Sequence, residues 1–174
     1  MSERSPFVVD ADWLREWLGK PGLAIVDASW YLPAQKRDAR AEYDQAHIQG
    51  AVFFDQDLVV DSHADLPHTL PRPEQFAQFA SSMGIAVDDT IVVYDGPGMF
   101  SAPRVWWMFR LMGAKEVFVL DGGLDGWKAG GGPVTSQPTK VAPCVFTPDF
   151  DSSRVASLAD MRAVVETGER QIAD

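Results

Sequence analysis

One cysteine, Cys144, stands among the 174 residues, so no internal disulfide is available and the fold must rest on its apolar core. Bases are scarce as well. Lys plus Arg number 15 against 25 Asp plus Glu, a net charge of −10, and such a field repels phosphate backbones and anionic lipid surfaces. Neither nucleic acid nor a membrane is expected as a partner. Apolar stretches such as 105–108 and 117–120 fall far short of the roughly 20 residues a membrane helix needs. The opening Met1-Ser2-Glu3-Arg4-Ser5-Pro6 lacks the apolar run of a secretory signal, which sets the expectation of a reducing cytoplasm. At 46% hydrophobic residues there is material for a real core, so disordered and fibrous classes fall away.

Apolar runs rich in β-branched residues alternate with helical patterns, the signature of an α/β fold with a mostly parallel sheet and helices on both faces. Strands are expected at 24–27, 51–54, 90–94 and 117–120. Between them, 12–18 carries a stripe of Trp13, Leu14, Trp17 and Leu18, and 73–83 one of Phe76, Phe79, Ala80 and Met83. The segment 103–112 is apolar nearly all round and predicts a deeply packed helix closed by Gly113. A short helix at 124–129 runs into Gly130-Gly131-Gly132-Pro133, where helix propensity collapses. One domain is therefore expected over 1–133, followed by a Pro-, Thr- and Ser-rich linker over 134–156. The layout of 157–165 followed by Gln171-Ile172-Ala173-Asp174 repeats that of 9–18 followed by 24–27. On that pattern 157–174 is the truncated start of a second copy; the alternative is a C-terminal helix that packs on a single domain.

In a parallel sheet the ligand site lies beyond the carboxyl ends of the strands. The strongest candidate there is the loop Asp95-Gly96-Pro97-Gly98-Met99-Phe100-Ser101, joining the most apolar strand to the most apolar helix. Its glycines allow backbone N–H groups to converge, and the helix start at Ala102-Pro103, with Arg104 behind it, adds positive character. A cysteine in that cradle would be an activated thiolate, but its first position holds Asp95. Asp95 could act as a phosphoryl acceptor, yet no Asp-x-Asp spacing or magnesium set accompanies it. The favoured reading is that Asp95 bonds the N–H groups of its own loop. Cys144 lies between Pro143 and Val145 with no base or helix start beside it, and reads as inert. The polar loop after the second strand gathers Asp55, Asp57, Asp65, His63 and His68, without a metal-ligand spacing. A carboxylate that orients a histidine is the other use of such a set. His47 reads as the anchor of a strand start.

Several segments match a known family: Asp27-Ala28-Ser29-Trp30-Tyr31-Leu32-Pro33, Arg37-Asp38-Ala39-Arg40, His47-Ile48-Gln49-Gly50-Ala51, Val92-Val93-Tyr94-Asp95, Phe100-Ser101-Ala102-Pro103-Arg104-Val105-Trp106-Trp107 and Leu120-Asp121-Gly122-Gly123. Over residues 7–150 the chain closely resembles the N-terminal domain of two-domain rhodanese-type sulfurtransferases. The resemblance implies a rhodanese-like module whose nucleophilic cysteine lies in its own second rhodanese domain, with Asp95 at the vacant nucleophile position. It implies transfer of a sulfane sulfur from 3-mercaptopyruvate or thiosulfate to cyanide or a thiol, with no cofactor and no metal. In members acting on 3-mercaptopyruvate the first domain lends an aspartate and a histidine to the cleft, and Asp57 and His68 match those positions. The 174 residues alone are expected to be inactive, and to pair as a homodimer through the flank a second domain would cover. The rival expectation is a stand-alone inactive module that binds a partner or an anion.

Overall fold

The computed structural model describes residues 5–172. In chain order the elements are β1 (Val8–Val9), α1 (Ala11–Trp17), β2 (Leu23–Asp27), α2 (Ala39–Gln45), β3 (His47–Ile48), β4 (Ala51–Phe53), α3 (Pro73–Ser82), β5 (Thr90–Tyr94), α4 (Ala102–Leu111), β6 (Val117–Leu120), α5 (Gly123–Ala129), β7 (Val134–Thr135) and α6 (Leu158–Thr167). Five strands form a wholly parallel sheet in the order β1-β6-β5-β2-β4, and β3 pairs with β7 in a small antiparallel sheet. The mostly parallel α/β architecture is therefore the one the alternation of patterns predicts.

Side chains alternate along each strand, so one sheet feeds two cores. Val26, Ile91, Val93, Val117 and Val119 point to one face, where α3 and α4 supply Phe76, Ala80, Val105, Met108 and Phe109. Ile25, Val92, Tyr94 and Leu120 point to the other, covered by Leu14 of α1, Tyr43 of α2 and Trp127 of α5. β2 lies between β4 and β5, so the chain reverses its direction of travel across the sheet there, and the loops leaving β2 and β5 open a crevice at their carboxyl ends.

Four elements add to those the sequence predicts: β1, α2, β3 and β7. The larger difference concerns 134–156. The stretch runs extended over the surface, but it is strapped to the domain as far as Asp151, and the packed body continues past Pro133. β7 pairs with β3, and Thr139 Oγ1 donates to Ala51 O at 2.6 Å. Phe146 is only 2% exposed and stands edge-on to Phe76 at 5.5 Å between ring centres, with its N–H on Ser81 Oγ at 2.9 Å. The N–H of Asp149 then reaches Met112 O at 2.9 Å. Beyond it α6, capped by Ser157 on the N–H of Asp160, buries none of its residues. The strand expected at 171–174 ends in Ala173 and Asp174, which lie outside the described residues.

Candidate active site

The loop after β5 is built around one carboxylate. Asp95 is fully buried; its Oδ1 accepts the N–H of Gly98 at 2.5 Å, and its Oδ2 accepts those of Phe100, Ser101 and Ala102 at 2.8, 2.6 and 2.9 Å. The convergent donors at the start of α4 are thus filled from within the chain by an anion of matching charge. The loop is also clamped from below, because Leu124 and Asp125 in the first turn of α5 donate to Asp95 O and Gly96 O at 2.8 and 3.0 Å. This approach requires glycine at 123, where φ is +56° and a Cβ would sit 2.3 Å from Asp95 O. Both oxygens of Asp95 are held by the loop itself, which is the geometry of a clamp.

The loop after β4 brings the second candidate pair together. Asp55 Oδ1 accepts the N–H groups of Asp57 and Leu58 at 3.0 and 3.2 Å and so turns the chain. Asp57 Oδ1 lies 3.5 Å from His68 Nε2 and also accepts the indole N–H of Trp30 at 3.1 Å. The Trp30 and His68 rings meet edge to face at 5.1 Å. His68 has a left-handed backbone, φ 55°, and its carbonyl accepts a hydrogen bond from Arg104 Nη2 in α4. With Asp57 66% exposed, attraction between the pair adds at most about 1 kcal/mol to stability, so its value lies in orienting the imidazole.

The three loops are tied to one another. Ser101 Oγ accepts the N–H of Trp30 at 3.2 Å and donates to Ala28 O at 2.7 Å, while Gln56 Nε2 donates to the same carbonyl at 2.6 Å. Together Trp30, Gln56, His68, Phe100, Ser101 and Arg104 line a pocket of about 180 Å³. Beside it Arg37 and Tyr31 both bond Glu42, at 2.6 and 2.9 Å to Oε2. The Arg37 guanidinium is the main reason the Glu42 pKa falls, and burial pushes the Tyr31 hydroxyl up to about 12.

The remaining residues singled out by sequence are not brought into this site. His63 pairs with Asp61, 3.4 Å away, and Asp65 is exposed. Among the described residues no three of His, Cys, Asp and Glu gather as a metal ion would need. Burial raises the Cys144 thiol pKa and the charge of Asp89 adds to the rise, the opposite of activation. His47 is buried at the start of β3, its Nδ1 2.7 Å from Tyr43 O and its ring stacked on Tyr43. Ser101 and Arg104 belong to the candidate loop and helix start that the sequence points to, whereas Trp30 and Gln56 were not predicted as site residues, although Trp30 lies inside a matched motif.

The model of the Rhodanese-like domain matches residues 10–130 of the chain. The chain belongs to the rhodanese family. It is 53% identical over 129 residues to thiosulfate/3-mercaptopyruvate sulfurtransferase 1, mitochondrial, of Arabidopsis thaliana, covering 74% of this chain and 34% of that protein. It is 39% identical over 173 residues to human 3-mercaptopyruvate sulfurtransferase, covering 96% of this chain and 58% of that one. Among solved structures, that of the 3-mercaptopyruvate sulfurtransferase SseA from Escherichia coli superimposes with a TM-score of 0.91 at 36% identity, over 96% of this chain and 64% of that one. This rhodanese chain thus spans between about a third and three-fifths of the length of these two curated relatives.

Proposed function

We propose that the chain is the non-nucleophilic module of a sulfurtransferase whose persulfide-forming cysteine lies in a second rhodanese module. The favoured donor is 3-mercaptopyruvate, with thiosulfate as the alternative, and the acceptor is a thiol or cyanide. The observation that carries the reading is the Asp57–His68 pair at 3.5 Å, beside a pocket whose neighbouring loop is filled by its own carboxylate. In the transfer a cysteine thiolate attacks the sulfur of 3-mercaptopyruvate and an S–S bond forms. The C–S bond breaks with its electron pair left on carbon as the enolate of pyruvate, which must then take a proton. We assign the handling of that proton to His68, with Asp57 orienting its imidazole; their 3.5 Å contact supports the assignment. Thiosulfate instead releases sulfite as an anion and has no carbon to protonate.

The test is turnover. The 174-residue chain, incubated with 3-mercaptopyruvate and excess acceptor thiol, is expected to release no pyruvate beyond background, since both oxygens of Asp95 are engaged and the Cys144 pKa is raised. The same chain joined to a cysteine-bearing rhodanese module is expected to turn over. Sustained pyruvate release by the chain alone overturns the proposal.

A further inference from the structure

The pocket between Trp30 and Arg104 holds a cation that no carboxylate among the described residues pairs with. Arg15, Arg37, Arg40, Arg72 and Arg154 each have a carboxylate within ion-pair distance. Arg104 is half-buried and has none among the described residues; its one hydrogen bond runs from Nη2 to the uncharged carbonyl of His68. Its Nε is fully buried without a partner. Burial, with no anion to offset it, pulls the guanidinium pKa below its ordinary value. Removing a charge from water without a counter-charge is costly, so such a group is retained where a ligand completes it.

The lining says what kind of ligand. Although the chain carries 25 acidic residues, no Asp or Glu among the described residues lines this pocket. Ser101 and Gln56 already donate to Ala28 O, the Trp30 indole donates to Asp57 and His68 Nε2 faces the same carboxylate, so the Arg104 guanidinium is the lining cation with no carboxylate beside it among the described residues. Trp30 and Phe100 form apolar walls, and Phe100 is half exposed, which leaves the pocket open. A planar guanidinium suits a carboxylate, and aromatic walls suit a short carbon body.

We infer that Arg104 makes this pocket a subsite for the carboxylate of a small 2-oxo acid, held next to the Asp57–His68 pair. The inference rests on the proposed function for the ligand's identity, and it adds a specificity-determining residue to that reading. The same anion chemistry could be met by an inorganic oxyanion, so the experiment separates the two sources.

The 174-residue chain is titrated with pyruvate, with sulfate and with neutral methyl pyruvate while the indole N–H signals are followed by NMR. The Trp30 signal is assigned from Trp30→Phe. The indoles of Trp106 and Trp127, bonded to Val117 O and Pro133 O at 2.8 and 3.0 Å, report that the fold is intact. Pyruvate is expected to shift Trp30 saturably in roughly the millimolar range that suits so small a ligand. Sulfate and methyl pyruvate are expected to bind at least about tenfold more weakly, and Arg104→Gln to weaken pyruvate by about 10- to 100-fold, the loss of a charged hydrogen bond. Arg104→Lys, which keeps the charge, is expected to retain part of the binding. No saturable shift, sulfate or methyl pyruvate binding as well as pyruvate, or wild-type affinity in Arg104→Gln with intact control indoles overturns the subsite. The titration needs no sulfur transfer. Absent binding with the donor selectivity of His68 intact therefore removes the subsite alone, and retained binding without that selectivity removes the proton role alone.

Discussion

Asp95→Asn measures what the carboxylate does for its loop. The wild-type group accepts four N–H bonds, one on Oδ1 and three on Oδ2. Asparagine offers one oxygen. Turned toward the three-donor side, its amide group faces the N–H of Gly98, which lies 2.5 Å from Oδ1 in the wild type, so two donors oppose each other. One charged hydrogen bond is lost, at about 1.5–3 kcal/mol, and three fall from charged to neutral strength, at up to about 1 kcal/mol each. Loss of a negative charge at the start of α4 adds about 0.3–1 kcal/mol. Allowing for relaxation of the loop, the expected destabilisation is about 3–5 kcal/mol, or a fall in Tm of roughly 6–20 °C at this chain length. Urea unfolding followed by tryptophan fluorescence reads it directly. A change below about 0.5 kcal/mol refutes the clamp. So does magnesium-dependent release of phosphate from an aryl phosphate that Asp95→Asn abolishes, because that outcome makes Asp95 a nucleophile.

Asp27, almost fully buried at the end of β2, has its pKa raised by desolvation against the opposing hydrogen bonds from Ser29. The folded state therefore keeps a proton that the unfolded chain has released. Stability is greatest below the unfolded pKa of about 3.9, falls as pH rises through the window up to the folded value, and stays reduced above it. Asp27→Asn is expected to remove that fall and to be no less stable than wild type at pH 7; urea midpoints across pH 4–8 check this, and a variant less stable at pH 7 with an unchanged slope contradicts it. At the carboxyl end of the sheet Leu58, Leu66, Met99 and Phe100 are 65, 72, 47 and 50% exposed, an apolar set suited to covering by a second module. The 174-residue chain is expected to self-associate through it, and sedimentation as a strict monomer at high micromolar concentration counts against that.

The long elements were legible because periodicity reports burial directly. The stripes of α1 and α3 and the runs of β5 and β6 coincide with the predicted segments to within a residue or two. β1, β3 and β7 were not, since two residues carry no period. α2 escaped because only Tyr43 of its seven residues is buried. In 134–151 the Pro-, Thr- and Ser-rich composition concealed Phe146, whose packing among Phe76 and Phe109 is a tertiary fact. At the site, Asp95 could be read as a loop-filling acid because glycines and a helix start surround it in sequence. The convergence of Trp30, His68 and Arg104 could not, because their loops leave three different strands and meet only once the sheet order is known.

The central claim is that Asp57 and His68 serve the carbon leaving group of 3-mercaptopyruvate. It is tested most directly by measuring kcat/KM for 3-mercaptopyruvate and for thiosulfate in the chain joined to a cysteine-bearing rhodanese module, as wild type and as His68→Ala. A fall of about 10²-fold is expected for 3-mercaptopyruvate, the worth of one positioned acid or base, and a far smaller change for thiosulfate. Equal losses for the two donors would contradict it, leaving His68 as a residue that only pins its loop to Arg104.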